Sequence, residues 1–320
     1  MNSVKDIIGA ELNTFEKKFA DAVRSQTPML DRIMKYIIKR KGKQMRPMFV
    51  FLSAKLHGEI NESTYRAAAL VELLHTATLV HDDVVDDSLE RRGFFSINAI
   101  WKNKIAVLVG DYLLSKGLLL STSNEDFQQL HIVSDAVKQM SEGELLQMEK
   151  SRKLNLDEDI YFEIIRNKTA SLLSSACGVG AYSTSKDEAI TNQMKLFGEK
   201  VGIAFQIKDD LFDYGTEDVG KPTGNDIREK KLTLPLIYTL NNVEKSNRKR
   251  IINILKNEHK NSESVKFVID SVVACGGIKY AESKMLGYRD EALSILYQFN
   301  DSPVRKALEE LVRFTTDRKY

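Results

Sequence analysis

The 320-residue chain is poor in the residues that cross-link or interrupt a fold: two cysteines, five prolines and one tryptophan. Cys177 and Cys275 sit in apolar or glycine-rich surroundings and cannot make a disulfide framework, so a reducing cytoplasmic compartment is expected. A net charge of +2 removes the electrostatic argument for nucleic acid as a partner. The most apolar stretch, Ile105 to Leu120, is interrupted by Gly110, Asp111 and Lys116, and no transmembrane helix is expected. The opening residues carry acids and lack the apolar core and cleavage site of a signal peptide. Period-two alternation is missing as well, which argues against strands.

What is present is helical periodicity. Val304, Leu308, Leu311 and Val312 fall at i, i+4, i+7 and i+8, and Pro28, Pro47, Pro235 and Pro303 suit helix starts. Helices are expected over 2–24, 29–40, 47–57, 61–87, 103–121, 125–150, 158–182, 186–213 and 232–242, with four or five more up to 317. The only long loop is Tyr214 to Lys230, rich in Gly, Asp and Lys, and loops of that length are often functional. The fold class expected is all-α, one domain over 1–320.

Chemistry concentrates in two acidic runs. In LLHTATLVHDDVVDD, the aspartates Asp82, Asp83, Asp86 and Asp87 close an otherwise core-like segment, and Arg91 and Arg92 follow. Asp82 and Asp86 share a helix face, and clustered carboxylates need a cation to offset their repulsion. A solvated acidic helix end would use the same letters. A second run, QIKDDLFD, repeats the spacing with Asp209, Asp210 and Asp213. Mg²⁺ takes oxygen ligands, often a carboxylate or two with substrate phosphates, so two such runs suggest a site for a metal-chelated diphosphate.

With GKQMRP, RRG, NKTA, GKPTGND and KLTLP in order between Gly42 and Pro235, the chain resembles the trans-isoprenyl diphosphate synthases. The resemblance implies a single helical bundle of isoprenoid synthase type around a central cavity. It implies three Mg²⁺ ions held by Asp82, Asp83, Asp86, Asp209, Asp210 and Asp213 around an allylic diphosphate. The second substrate would be isopentenyl diphosphate, held by Lys43, Arg46, His75 and Arg92. Arg91, Lys168 and Lys221 would stabilise the departing allylic diphosphate, and the pair Lys221 and Lys231 would close over both diphosphates. Thr169 and Gln206 would turn polar atoms towards a developing carbocation. The family pattern usually reads G-G-K-R-x-R-P where this chain has Lys41 and Gln44, and Lys230 stands where glycine is frequent.

The reaction so implied is head-to-tail condensation, each round lengthening an all-trans polyprenyl chain. The growing chain would run along the helix that ends in Asp82, past Ala77, Leu74, Leu73 and Leu70, about 5.4 Å deeper per turn. Short-chain members place a bulky aromatic at or beside the Ala77 position, whereas Ala77 and Thr78 are small. A long-chain product of heptaprenyl or octaprenyl class is therefore expected, with a farnesyl or geranylgeranyl synthase as the alternative. A class I terpene cyclase fits less well, because its second metal motif differs. A non-catalytic subunit of a heteromeric synthase would lack the aspartate runs. The resemblance also implies a homodimer, and the Ile105–Leu120 helix is apolar on more than one face, as an interface helix would be. A peripheral membrane contact would assist release of an apolar product.

Overall fold

The computed structural model describes residues 2–39, 42, 44–91, 93–153, 157–215 and 224–318. Sixteen α-helices make up nearly all of it: α1 Asn2–Ala22, α2 Pro28–Ile38, α3 Met45–His57, α4 Glu62–Val85, α5 Ile97–Trp101, α6 Asn103–Thr122, α7 Phe127–Lys153 and α8 Glu158–Ile165. They continue with α9 Ser171–Ser185, α10 Glu188–Phe212, α11 Asn225–Arg228, α12 Leu234–Asn242, α13 Lys245–Asn253, α14 Ser262–Cys275, α15 Gly277–Leu296 and α16 Pro303–Asp317. Several features depart from the expected pattern: the short helices α5 and α11 were not expected, and α11 falls within the loop expected over 214–230. A two-residue antiparallel ladder, β1 Glu90–Arg91 with β2 Phe94–Phe95, follows the first acidic run. The helix expected over 158–182 is interrupted by a π-helical turn at Arg166–Ala170, and a second π turn occupies Ile254–Glu258.

Contacts sort the chain into two compact units, one of residues 1–137, 172–195 and 300–308, the other of 138–171, 196–299 and 309–320. Most of these boundaries fall inside helices rather than at linkers.

The first unit is built on α4. Asn61 and Thr64 form a reciprocal capping box that fixes its start. Leu70, Val71, Leu73, Leu74, Ala77 and Val80 are all buried, so apolar residues ring the helix, as befits a core helix. Its principal neighbour is α6, which by length and composition could cross a membrane but packs Ala106, Val109 and Leu113 inward. The two come close because residue 117 is glycine: a Cβ there would sit 2.6 Å from Leu74 Cδ1. That approach turns Leu74 towards α6.

The second unit is centred on the inner faces of α8, α10, α12 and α14. Tyr161, Phe162, Ile203, Ile207, Leu234, Ile237, Val265 and Val268 form one buried cluster there.

Candidate active site

α4 brings the first acidic run to its own C-terminal end. The helix stops at Val85, Asp86 serves as its cap, and Asp87 turns the chain with φ +49°. The four aspartates therefore have different surroundings. Asp83 is buried, and Arg91 donates from Nε to its Oδ1 at 2.6 Å. Burial lifts the Asp83 carboxyl above the ordinary range, Arg91 pulls it back, and Asp86 pushes it up again. Asn98 donates from Nδ2 to the Asp83 carbonyl at 3.1 Å, and Ser96 Oγ donates to the Ser88 carbonyl at 2.7 Å, which pins the loop. Asp86 and Asp87 are exposed, and Asp82 is half-buried.

Other expected residues of this unit fall on α3 and α4. Arg46 is half-buried in the first turn of α3, just after Gln44, whose φ is +52°. His75 is buried, and Thr78 Oγ1 donates to its carbonyl at 2.9 Å. Ala77 is fully buried. His81 places Nε2 3.2 Å from the Val107 carbonyl of α6, a structural contact. Lys43, Arg92 and Lys221 lie outside the described residues.

In the second unit, the end of α10 and the π turn meet. Glycines allow the close packing: on α10, a Cβ at Gly202 would lie 2.5 Å from Ala170 Cα, and on α7, which packs against the same turn, one at Gly143 would lie 2.9 Å from the Lys168 nitrogen. A π turn shifts the phase of the side chains that follow it and is often found at functional sites. Here it carries Lys168 and Thr169. Thr169 Oγ1 donates to Gln206 Oε1 at 2.7 Å, and Gln206 Nε2 donates to Asp210 Oδ1 at 2.9 Å. Gln206 thus spends its amide on holding Asp210.

Asp210 has no exposed surface, and it also accepts from Lys231 Nζ at 2.9 Å and from Tyr161 Oη at 2.8 Å. Lys231 reaches Asp226 at 3.4 Å as well. Burial opposes the lysine's charge, but Asp210 and Asp226 outweigh it and keep the ammonium protonated far above its usual range. Burial raises Asp226 to about 7, against the pull of Lys231 and with Asp210 and Asp213 pushing the same way. Asp213 accepts from the backbone nitrogens of Asn225 at 2.7 Å and Asp226 at 3.2 Å. Burial still lifts its carboxyl above the ordinary range.

Asp209, one step round the helix, is 48% exposed. Arg318 donates from Nη2 to its Oδ1 at 2.6 Å. Lys168 pairs with Glu144, and its Nζ lies 3.5 Å from Gln147 Oε1.

The six expected metal ligands therefore divide. Asp83 and Asp210 are buried and Asp213 is half-buried, each held by nearby donors, whereas Asp86 and Asp209 are exposed and Asp82 is half-buried, Asp209 being held from outside by Arg318. Among the described residues no three Asp, Glu, His or Cys side chains converge on one point. The outward set is all carboxylate oxygen, which suits a hard divalent cation that completes its shell with water and substrate phosphate. Glu144, Gln147, Tyr161 and Arg318 were not singled out by sequence, whereas Asp226 closes the GKPTGND motif. Glu144 and Gln147 carry a detectable signal, since i, i+3 places them on one face of α7. Arg318 carries none, being 109 residues from its partner.

A family model described as polyprenyl synthetase matches residues 27–272. Among curated proteins, the all-trans-nonaprenyl-diphosphate synthase (geranyl-diphosphate specific) of Rhodobacter capsulatus is 35% identical, over 93% of this chain and 92% of its own. The crystal structure of a polyprenyl synthase from Caulobacter crescentus, complexed with calcium and isoprenyl diphosphate, superposes with a TM-score of 0.91 at 32% identity. It covers 100% of this chain and 98% of its own. A geranylgeranyl pyrophosphate synthase structure from Bacteroides thetaiotaomicron gives a TM-score of 0.84 at 35% identity, covering 99% and 100%.

Proposed function

The chain belongs to the polyprenyl synthetase family and is a chain-elongating prenyltransferase, and we propose that it uses Mg²⁺ to make a long-chain all-trans polyprenyl diphosphate. Its substrates are an allylic diphosphate and isopentenyl diphosphate. The observation that carries the metal reading is the division within each acidic run: one carboxylate is buried and clamped, while a neighbour stays exposed, Asp86 in the first run and Asp209 in the second. Asp82, Asp86 and Asp209 would hold the ions, with Asp83, Asp210 and Asp213 supporting them from behind. Bound with the substrate diphosphate, Mg²⁺ would supply Lewis-acid stabilisation of the charge that collects on the leaving group.

The chain's own residues then have these parts. Lys168 offers an ammonium to the allylic diphosphate, exchanging its present partner Glu144 for phosphate oxygens. Arg91 offers a guanidinium in the same way, its Nε being the group that now holds Asp83. Cations aimed where negative charge develops lower the barrier to breaking the allylic carbon–oxygen bond. Arg46 and His75, with Lys43 and Arg92, would hold isopentenyl diphosphate so that its double bond attacks the resulting carbocation. A proton then leaves and an allylic chain five carbons longer remains. The released diphosphate can take that proton, since no side chain is required for it.

Identity alone does not separate product lengths, because the nonaprenyl and geranylgeranyl synthases compared above are equally similar. Ala77 and Thr78 support the long product: neither offers an aromatic floor at that level of α4. The test is the mass of the product made by the purified chain from isopentenyl diphosphate and an allylic primer. Chains of seven or more prenyl units are expected; accumulation of farnesyl or geranylgeranyl diphosphate would refute the long-chain assignment.

A further inference from the structure

Arg318 lies just beyond α16 and reaches back to the second acidic run. Its guanidinium carbon is 4.1 Å from the centre of the Phe205 ring and 5.2 Å from that of Phe212, and the side chain is only 15% exposed. Phe205, Asp209 and Phe212 fall at i, i+4 and i+7 on α10, so the helix presents ring, carboxylate and ring on one face. A planar cation fits that stripe by stacking on the rings while its N–H donates to the acid. α16 delivers the residue firmly: Leu311, Val312, Thr315 and Thr316 are buried, and Asp317 faces Arg289 at 3.8 Å.

The proposed metal ligand of this run is thus the one aspartate of the three whose protein partner comes from the far end of the sequence. Asp210 and Asp213 are held by neighbours that the chain places behind them. We propose that Arg318 is a positioning residue that holds Asp209 in the metal-free enzyme and yields Oδ1 to the incoming divalent cation. The proposal rests on the reading of Asp209 as a metal ligand. A guanidinium and a divalent ion on one carboxylate oxygen repel each other at close range. Metal loading and release of Arg318 are therefore linked, and each opposes the other by the same factor.

The test uses the full chain with Mn²⁺ alone, bound metal being read from the resonance signal of the free ion. Arg318→Gln should bind Mn²⁺ about fivefold more tightly than wild type, the gain expected when metal need not displace a partly exposed ion pair. Asp209→Asn should lose that site. A second readout needs no substitution at 318: brief trypsin treatment, with cleavage of the 318–319 bond followed by mass spectrometry. The protease must take the Arg318 side chain, so Mn²⁺ should accelerate this cut in wild type, and Asp209→Asn should be cut at the faster rate without metal. Unchanged Mn²⁺ affinity in Arg318→Gln, or a cut in wild type that ignores Mn²⁺, overturns the proposal while leaving the metal assignment intact. Unchanged Mn²⁺ binding in Asp209→Asn overturns both.

Discussion

Asp209 and Asp210 are adjacent letters with opposite surroundings, and the difference predicts different failures. Asp209→Ala removes a proposed metal ligand that is half exposed, so turnover should vanish while the melting midpoint hardly moves, the lost ion pair being worth at most about 1 kcal/mol. Asp210→Ala strips a half-buried lysine and a buried tyrosine of their acceptor and leaves the space of a fully buried carboxylate empty. That should cost on the order of 3 kcal/mol and lower the midpoint by several degrees. Thermal melts and steady-state rates on both variants check the contrast; equal midpoints would contradict the inward placement of Asp210. Asp226 adds a pH signature. Its carboxyl rises from the usual 3.8 to about 7 on folding, so between those values the folded chain binds more protons than the unfolded one. Stability from this group is full below about pH 4 and is lost as pH rises towards 7. In metal-free protein, the midpoint of Asp226→Asn minus that of wild type should therefore grow from pH 4 to 7 and then level; a constant difference would contradict the shift. The spacing of the aspartates was readable, because D-D-x-x-D is a local pattern. Which of them turn inward was not, since that depends on donors such as Tyr161 and Lys231 supplied from other elements.

At the scale of elements, the all-helical class and most helix bounds follow from periodicity and from prolines such as Pro28 and Pro235 at helix starts. The π turn at Arg166–Ala170 escaped, because RNKTA is as compatible with an α-helix as with a π turn; the tight approaches at Gly143 and Gly202 belong to packing. The β1–β2 ladder escaped for the opposite reason: two residues per strand are too few to show a period. α4 carries the prediction on product length. Ala77 is wholly buried in it, whereas Leu74 faces Gly117 of α6 and so belongs to a helix contact. Ala77 is therefore the proposed length determinant, with Leu74 supporting the wall. Ala77→Tyr should shift products towards farnesyl or geranylgeranyl length while the first condensation survives. An unchanged product distribution in an active Ala77→Tyr enzyme would contradict it.

For the whole molecule, similarity along almost the full length of known synthases establishes the family and the elongating activity, while the assembly is a proposal. Leu108 and Leu119 of α6 are each more than 60% exposed, with Val107 and Leu118 beside them at 41% and 49%. An apolar face of that kind on a core helix supports a homodimer built on α6. Sedimentation at micromolar concentration should give twice the chain mass, and a monomer would count against it. The central claim, metal-dependent head-to-tail condensation, has a more direct test. Purified chain is incubated with labelled isopentenyl diphosphate and an allylic diphosphate in Mg²⁺, with and without EDTA. Label should enter an extractable polyprenyl product only when the allylic diphosphate and free Mg²⁺ are both present. Incorporation that persists undiminished in EDTA, or none with both substrates and Mg²⁺, would contradict the account.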